Sequence, residues 1–139
     1  MLELADIKAG ETVVDLGSGD GTLCIEAAKR GANAVGIEIN PFLVRISRWR
    51  AKRAGVAGQV NVIKKNFWNC PLTDIDVVFL YLWPETLERL EKKLREELKP
   101  GSRIISNNFP IKNWAPIAEK NHVYLYPVRD LYGAEPVKK

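Results

Sequence analysis

A glycine-rich turn between an apolar run and a predicted helix could bind a ligand in this 139-residue chain. The run Val13–Leu16 has the character of a buried strand, and Gly17, Gly19 and Gly21 follow it at alternate positions. Glycine tolerates positive φ and has no Cβ, so the backbone amides of such a turn can approach a ligand closely. Asp15 precedes the first glycine by two residues. The pattern predicts a binding site for a small molecule with a cationic or hydroxyl-rich group.

A second acidic residue, Glu38, narrows the choice of ligand. It ends the next apolar run, and an acid at the tip of a second strand is placed to hold the two hydroxyls of a ribose. A dinucleotide turn needs the spacing G-x-G-x-x-G, but here the third glycine comes one residue early and position 22 is Thr22. No G-x-x-x-x-G-K-[ST] phosphate loop occurs, and Asp15 and Asp20 would repel a phosphate.

These residues favour a ligand that has a ribose but no pyrophosphate, namely S-adenosylmethionine (SAM). In this interpretation Asp15 accepts a hydrogen bond from the cationic amino group at the methionine end. The alternative is a tight turn that requires glycine and binds nothing.

The composition predicts one domain over residues 1–139. No apolar run approaches the ~20 residues that span a bilayer, and no secretory leader is apparent, so we expect a cytoplasmic protein without membrane contact. Cys24 and Cys70 are isolated, which predicts neither a disulfide framework nor a metal site. The net charge of +4 permits an RNA partner without requiring one.

Strands and helices alternate along the chain, which predicts a Rossmann-like α/β fold with a mostly parallel, twisted sheet covered by helices on both faces. Strands are expected at 12–16, 33–38, 60–64, 75–81 and 103–106, and helices at 22–30, at 41–54 and from residue 84 to the Pro-Gly pair at 100–101. Residues 114–120 form a short helix or strand, and residues 122–128 alternate like an antiparallel edge strand.

Ligands of open parallel sheets bind outside the carboxyl ends of the strands, near the point where the strand order reverses. Applied to the predicted strands, this rule places the following residues on one rim: Gly17, Gly19, Glu38, Asn66, Tyr81 and Asn107.

Over nearly its whole length the chain resembles the class I SAM-dependent methyltransferases, through residues 13–22 and through Glu38. The resemblance implies that Ile39 packs against the adenine, that Asn66 hydrogen-bonds its edge, and that Phe67 or Trp68 flanks the ring; both aromatics could equally belong to the core. The predicted cofactor site comprises Asp15, Gly17, Ser18, Gly19, Gly21, Glu38, Ile39, Asn66 and Phe67.

Residues 60–68, 94–106 and 123–126 are similar to the small archaeal protein-lysine methyltransferases and their mitochondrial relatives, which implies a protein substrate. The sequence after the fourth strand, Tyr-Leu-Trp-Pro, lacks the Asn/Asp-Pro-Pro-aromatic motif of nucleobase-amine methyltransferases and so argues against N6-adenine chemistry. The expected acceptor rim comprises Tyr81, Trp83, Asn107, Asn108, Phe109 and Trp114. The Asn-Asn-Phe-Pro run could instead reflect turn formation alone. The sequence indicates no general base.

Two other functions stay open. The basic helix at 41–54 could bind RNA for methylation, although Phe42, Ile46 and Trp49 follow core spacing and would leave its charges on a solvated face. A SAM-binding domain without catalytic activity is the other, because family members carry an N-terminal helix over the methionine end and only eleven residues precede the first strand here. Leu2 and Ile7, with Leu4 between them, could be a minimal remnant of that lid, or could be buried in a homodimer.

Overall fold

The sheet of the computed structural model, which describes residues 2–128, has seven strands in the order β3-β2-β1-β4-β5-β7-β6. The strands are β1 Thr12–Leu16, β2 Asn33–Glu38, β3 Val60–Lys64, β4 Val77–Leu80, β5 Arg103–Asn107, β6 Ala118–Lys120 and β7 Val123–Pro127. The helices are α1 Leu2–Ala5, α2 Thr22–Lys29, α3 Pro41–Arg53 and α4 Pro84–Glu97, with a 3₁₀ turn at Phe67–Asn69.

The predicted Rossmann-like architecture is confirmed. Strands β1 to β5 are parallel, and β7 pairs antiparallel with β5 as expected from its alternating sequence. The outermost position is taken by β6, which pairs antiparallel with β7, so the segment predicted as a short helix or strand is the edge strand.

The parallel register aligns the carboxyl ends of the strands into one rim. Leu16 of β1 lies opposite Ile37 of β2 on one side and Leu80 of β4 on the other. Leu80 in turn lies opposite Ser106 of β5. From β1 the next two strands, β2 and β3, are added on one side of the sheet, and β4 and β5 are added on the other side. The strand order therefore reverses between β1 and β4. A crevice for a ligand is expected there.

Alternate residues of the buried strands build a core on each face of the sheet, as the period of two requires. On one face Val14 and Leu80 pack in the larger cluster, together with the α4 stripe Leu87, Leu90, Leu94 and Leu98. On the other face Val13 and Phe79 pack with Cys24 of α2.

Helix α1 packs against β5, β7 and α2, and its last residue lies beside the first residue of β5. Leu2 and Leu4 of this helix, and Ile7 after it, are half-buried against the α2-side cluster. Arg103, the first residue of β5, donates from Nε to the carbonyl of Ala5 at 2.9 Å. The apolar residues proposed as a lid remnant or dimer contact are therefore partly covered within the chain. No helix within residues 2–128 has the length and apolar character needed to cross a membrane.

Candidate functional site

The glycine turn adopts backbone conformations that other residues rarely reach. Gly17, Gly19 and Gly21 have φ of 80°, 58° and 84°. Contrary to the expectation that its amides face a ligand, those of Gly17 and Ser18 both donate to the carbonyl of Ile37, at 2.8 and 3.0 Å. These bonds fix the turn against β2. What the turn offers instead is space, because a Cβ at Gly19 would have no heavy atom within 4 Å.

Helix α3 supports the turn from below through Ser47, a residue that the sequence analysis missed. A Cβ at Gly21 would lie only 2.9 Å from the Cβ of Ser47, so this position requires glycine. The Ser47 hydroxyl donates to the carbonyls of Gly19 and Leu43, at 3.0 and 2.8 Å. The sequence feature that could have revealed this role is a small polar residue, Ser47, on the same helix face as Val44 and Ala51.

Glu38 reaches back from the end of β2 to the glycine turn. Its Oε1 accepts from the amide of Gly19 at 2.8 Å, and its Oε2 accepts from the amide of Asn40 at 3.0 Å. A carboxylate has about four acceptor positions, so each oxygen can still accept from a further donor. Glu38 is therefore oriented to take two hydroxyls beside the open space at Gly19. The neighbouring Ile39 is 62% exposed and offers an apolar surface there.

Asp15 is a buried carboxyl that makes no hydrogen bond with another residue of the described chain, and only 5% of it is exposed. Burial, with a smaller contribution from the charge of Glu38, raises the pKa of Asp15 to about 8. The buried hydroxyl of Ser18 also lacks a hydrogen-bond partner there. Burial and the nearby Asp15 raise the pKa of Cys24, which is consistent with an inert thiol. These two unpaired polar groups belong to the glycine turn and the strand before it, and the carboxyl of Asp15 suits a ligand that carries a cation.

The residues expected around an adenine lie beyond β3. Asn66 caps the 3₁₀ turn, with its Oδ1 accepting from the amide of Trp68 at 3.0 Å. Its Nδ2 makes no bond within residues 2–128, so it can donate to a ring nitrogen. Phe67 and Trp68 are half-buried with ring centroids 5.0 Å apart, and both pack against the larger core. They form the border between core and rim.

An aromatic cavity of about 270 Å³ opens at the ends of β4 and β5. It is lined by Tyr81, Leu82, Trp83, Asn108 and Phe109. The rings of Trp83 and Phe109 lie 5.6 Å apart between centroids and are tilted by 40°. The Leu82 side chain would be 3.9 Å from a Cβ at Gly17, so one wall of the cavity adjoins the glycine turn.

Comparison with known proteins identifies the family to which this site belongs. Residues 15–118 match the ANTKMT methyltransferase domain. The chain belongs to this methyltransferase family. It is 38% identical over 138 residues to a protein-lysine N-methyltransferase of Saccharolobus islandicus, covering 92% of this chain and 86% of the relative. It is 39% identical over 129 residues to the adenine nucleotide translocase lysine N-methyltransferase of Mus musculus, covering 89% of this chain and 55% of that protein.

A solved structure supports the cofactor as well as the fold. The crystal structure of an RNA methyltransferase from Salinibacter ruber in complex with S-adenosylhomocysteine superposes with a TM-score of 0.89. The two chains are 37% identical, and the match covers 97% of this chain and 92% of the other. S-adenosylhomocysteine is the product that SAM leaves after methyl transfer. This chain is thus a SAM-dependent methyltransferase, as its glycine turn and Glu38 predicted.

The loop after β5 of this methyltransferase contains both turn residues and cavity residues. Asn108 has a positive φ of 76°, and its amide donates to the carbonyl of His122 at 2.7 Å. The Ser106 hydroxyl donates to the carbonyl of Phe109 at 2.6 Å and helps to hold that residue at the cavity. Asn107, also expected on the rim, ends β5 opposite Val123 of β7 and does not line the cavity.

Trp114 is not a rim residue of the methyltransferase, contrary to expectation. Only 5% of it is exposed, and its ring packs 6.2 Å from that of Tyr126. Its indole nitrogen donates to the carbonyl of Pro127. The buried indole therefore stabilises the loop from inside.

The predicted core face of α3 in the methyltransferase is wrong. Of its three residues only Ile46 is partly buried, while Phe42 and Trp49 are 66% and 59% exposed. The buried residues of the helix are Val44, Ser47 and Ala51. The physical reason is the close approach of α3 to the glycine turn, which admits only small side chains. The bulky residues consequently face outward.

Proposed function

We propose that this chain transfers methyl groups from SAM to lysine side chains of a protein. The names of the archaeal and mouse relatives support the acceptor class. The chain spans 55% of the mouse relative, so the particular substrate of that enzyme is not carried over. The observation that carries the proposal is the aromatic cavity, because its Leu82 wall adjoins the glycine turn to which we assign the methyl donor.

For the donor, we assign the ribose hydroxyls to Glu38 and the methionine amino group to Asp15. The open backbone at Gly19 gives the ligand room, and Ser18 supplies an unpaired hydroxyl. The adenine end is assigned to Ile39, Asn66 and Phe67. These assignments give the unpaired buried polar groups a hydrogen-bond partner on the ligand and place the apolar ring against exposed apolar surface.

The acceptor amine must be neutral when it attacks, since an ammonium has no lone pair. SAM supplies an activated methyl group whose carbon–sulfur bond breaks with its electron pair passing to sulfur. The aromatic cavity lowers the polarity around the amine and so disfavours its charged form. Trp83 and Phe109 restrict the alkyl chain of the lysine to a line of approach, and such positioning accounts for much of the rate. The described cavity residues include no carboxyl or imidazole, which leaves water or a polar rim group such as the Tyr81 hydroxyl to take the proton.

Incubation with methyl-labelled SAM and separate panels of protein and RNA acceptors tests this function. We expect label in protein, at lysine by peptide mass spectrometry, and none after Glu38→Ala. Label found in RNA alone would refute the proposal. SAM binding without transfer to any acceptor would favour the non-catalytic alternative.

RNA methylation remains the second candidate. It is favoured by the name of the Salinibacter ruber structure and by the exposed aromatic and basic residues of α3. The two acceptor panels decide between these candidates.

Two properties of the chain in the cell stay predictions. We expect a cytoplasmic location, which fractionation would test. A homodimer would have to bury more than Leu2, Leu4 and Ile7, which are already partly covered; gel filtration would reveal it.

A further inference from the structure

The solvent face of α3 carries aromatic and cationic residues in alternation. Phe42, Arg45, Trp49 and Arg53 recur at intervals of three and four residues, which places them along one side of the helix. We name these four residues the α3 stripe. It lies opposite the buried residues of the helix, so it takes no part in packing the sheet.

The segment that carries the α3 stripe contains positive charges only. Residues 40–65 contain seven Lys and Arg and no Asp or Glu. Two of the arginines are used internally, since Arg48 donates to the Val62 carbonyl and Arg50 pairs with Asp20 at 3.1 Å. Arg45 and Arg53 have no carboxylate partner among residues 2–128. Uncompensated cations of this kind attract polyanions.

A shallow, largely open cleft of about 460 Å³ lies beside the far end of the stripe, lined by Trp49, Arg50, Arg53 and Ala54. The Arg53 guanidinium stacks 5.1 Å from the centre of the Trp49 ring. A planar group can enter such a cleft and stack, while an adjacent guanidinium binds an anion. Phe42 offers a second ring about 10 Å from Trp49 along the helix axis, because the two residues are seven positions apart.

We propose that the α3 stripe binds single-stranded nucleic acid, with bases stacked on Trp49 and Phe42 and phosphates paired with Arg45 and Arg53. Aromatic rings interleaved with cations are the usual means of holding a single strand without sequence preference. A single strand uses both the ring faces and the cations of the stripe, whereas an acidic peptide would need only the cations. The site is separate from the aromatic cavity, so the proposal does not depend on the identity of the methyl acceptor.

Fluorescence anisotropy with a labelled 12-nucleotide oligouridylate tests the proposal on the full chain. We expect binding that weakens as salt rises, with Arg45→Ala reducing the slope of log K against log salt by about 0.7. Trp49→Ala should weaken binding by about 5- to 100-fold. Lys92→Ala on α4 removes the same charge, and Ile117→Ala removes another exposed apolar side chain; neither should change the affinity.

Several results would overturn the proposal. These are absence of binding at 50 mM salt, an equal loss for Lys92→Ala and Arg45→Ala, or equal affinity for a duplex of the same charge. Binding of anionic phospholipid vesicles or polyglutamate with the same dependence on Trp49 would also assign the stripe to another partner. If Trp49→Ala does not fold by circular dichroism, Trp49→Leu keeps the apolar bulk and still removes stacking. Methyl transfer to protein is expected to be unchanged in all of these variants.

Discussion

The unpaired carboxyl of Asp15 makes SAM binding sensitive to pH in a way that can be worked out from the structure. Its pKa of about 8 means that the carboxyl is mostly protonated at pH 7 before the ligand binds. An ammonium group placed beside it stabilises the ionised form. We therefore expect SAM binding between pH 6 and 7 to release about one proton, and the affinity to rise about tenfold over that unit of pH.

Titration calorimetry in two buffers with different enthalpies of ionisation measures the proton release directly. Asp15→Asn has nearly the same shape but cannot ionise, so its binding should be weaker at pH 7 and should release no proton. A wild-type protein that exchanges no proton, or a variant with the same pH dependence, would refute the assignment of Asp15 to the amino group.

The same raised pKa makes the protein without its ligand less stable as pH rises, whereas it makes SAM binding stronger. Between pH 4 and 8 the folded chain holds a proton on Asp15 that the unfolded chain, with its usual pKa of 3.8, has lost. The contribution of Asp15 to the free energy of unfolding therefore falls as pH rises through this window, by about 4 kcal/mol at pH 7. Urea denaturation should show a smaller decline for Asp15→Asn. A wild-type free energy that rises with pH across the window, with an equal slope in the variant, would contradict this account.

Three further predictions concern neighbouring residues. Glu38→Ala should weaken SAM binding at least 100-fold by calorimetry, because two charge-assisted hydrogen bonds at about 1.5–3 kcal/mol each are lost; unchanged affinity would place the ribose elsewhere. Gly21→Ala should lower the free energy of unfolding by more than 2 kcal/mol, since its new Cβ meets Ser47 at 2.9 Å. Gly19→Ala has open space around the new Cβ, so it should lower the free energy of unfolding by only about 1–2 kcal/mol while weakening SAM binding. Equal urea midpoints for the two variants would contradict this. Trp83→Ala should raise KM for a lysine acceptor about tenfold and leave the Kd of SAM unchanged; a loss in SAM affinity instead would remove Trp83 from the acceptor side.

Much of the fold could be predicted because local sequence signals agreed with the final architecture. The apolar runs that became the central strands β1 and β4 are buried on both faces, whereas only Val62 of the edge strand β3 is buried. The leucine stripe of α4 faces the core as its spacing indicated. The rim followed from topology, since parallel strands bring their carboxyl ends to one edge. Residues from distant parts of the chain, such as Glu38 and Gly19, do meet there.

Interactions between elements were harder to predict. Nothing local distinguishes the core spacing of Phe42 and Trp49 from the true buried face, because what selects that face is the steric fit of Ser47 under Gly21. The amides of the glycine turn were expected to face a ligand, but the Ile37 carbonyl accepts from two of them. Trp114 was expected on the rim because a loop aromatic has no periodicity that reveals burial.

The central claim is that the SAM site and the aromatic cavity together methylate protein lysine. Peptide mass spectrometry of a protein acceptor after incubation with labelled SAM tests this claim most directly. We predict label on lysine Nζ with the wild-type chain, sharply reduced label with Trp83→Ala, and none with Glu38→Ala. Label confined to RNA, or lysine label that persists in Glu38→Ala, would contradict the account.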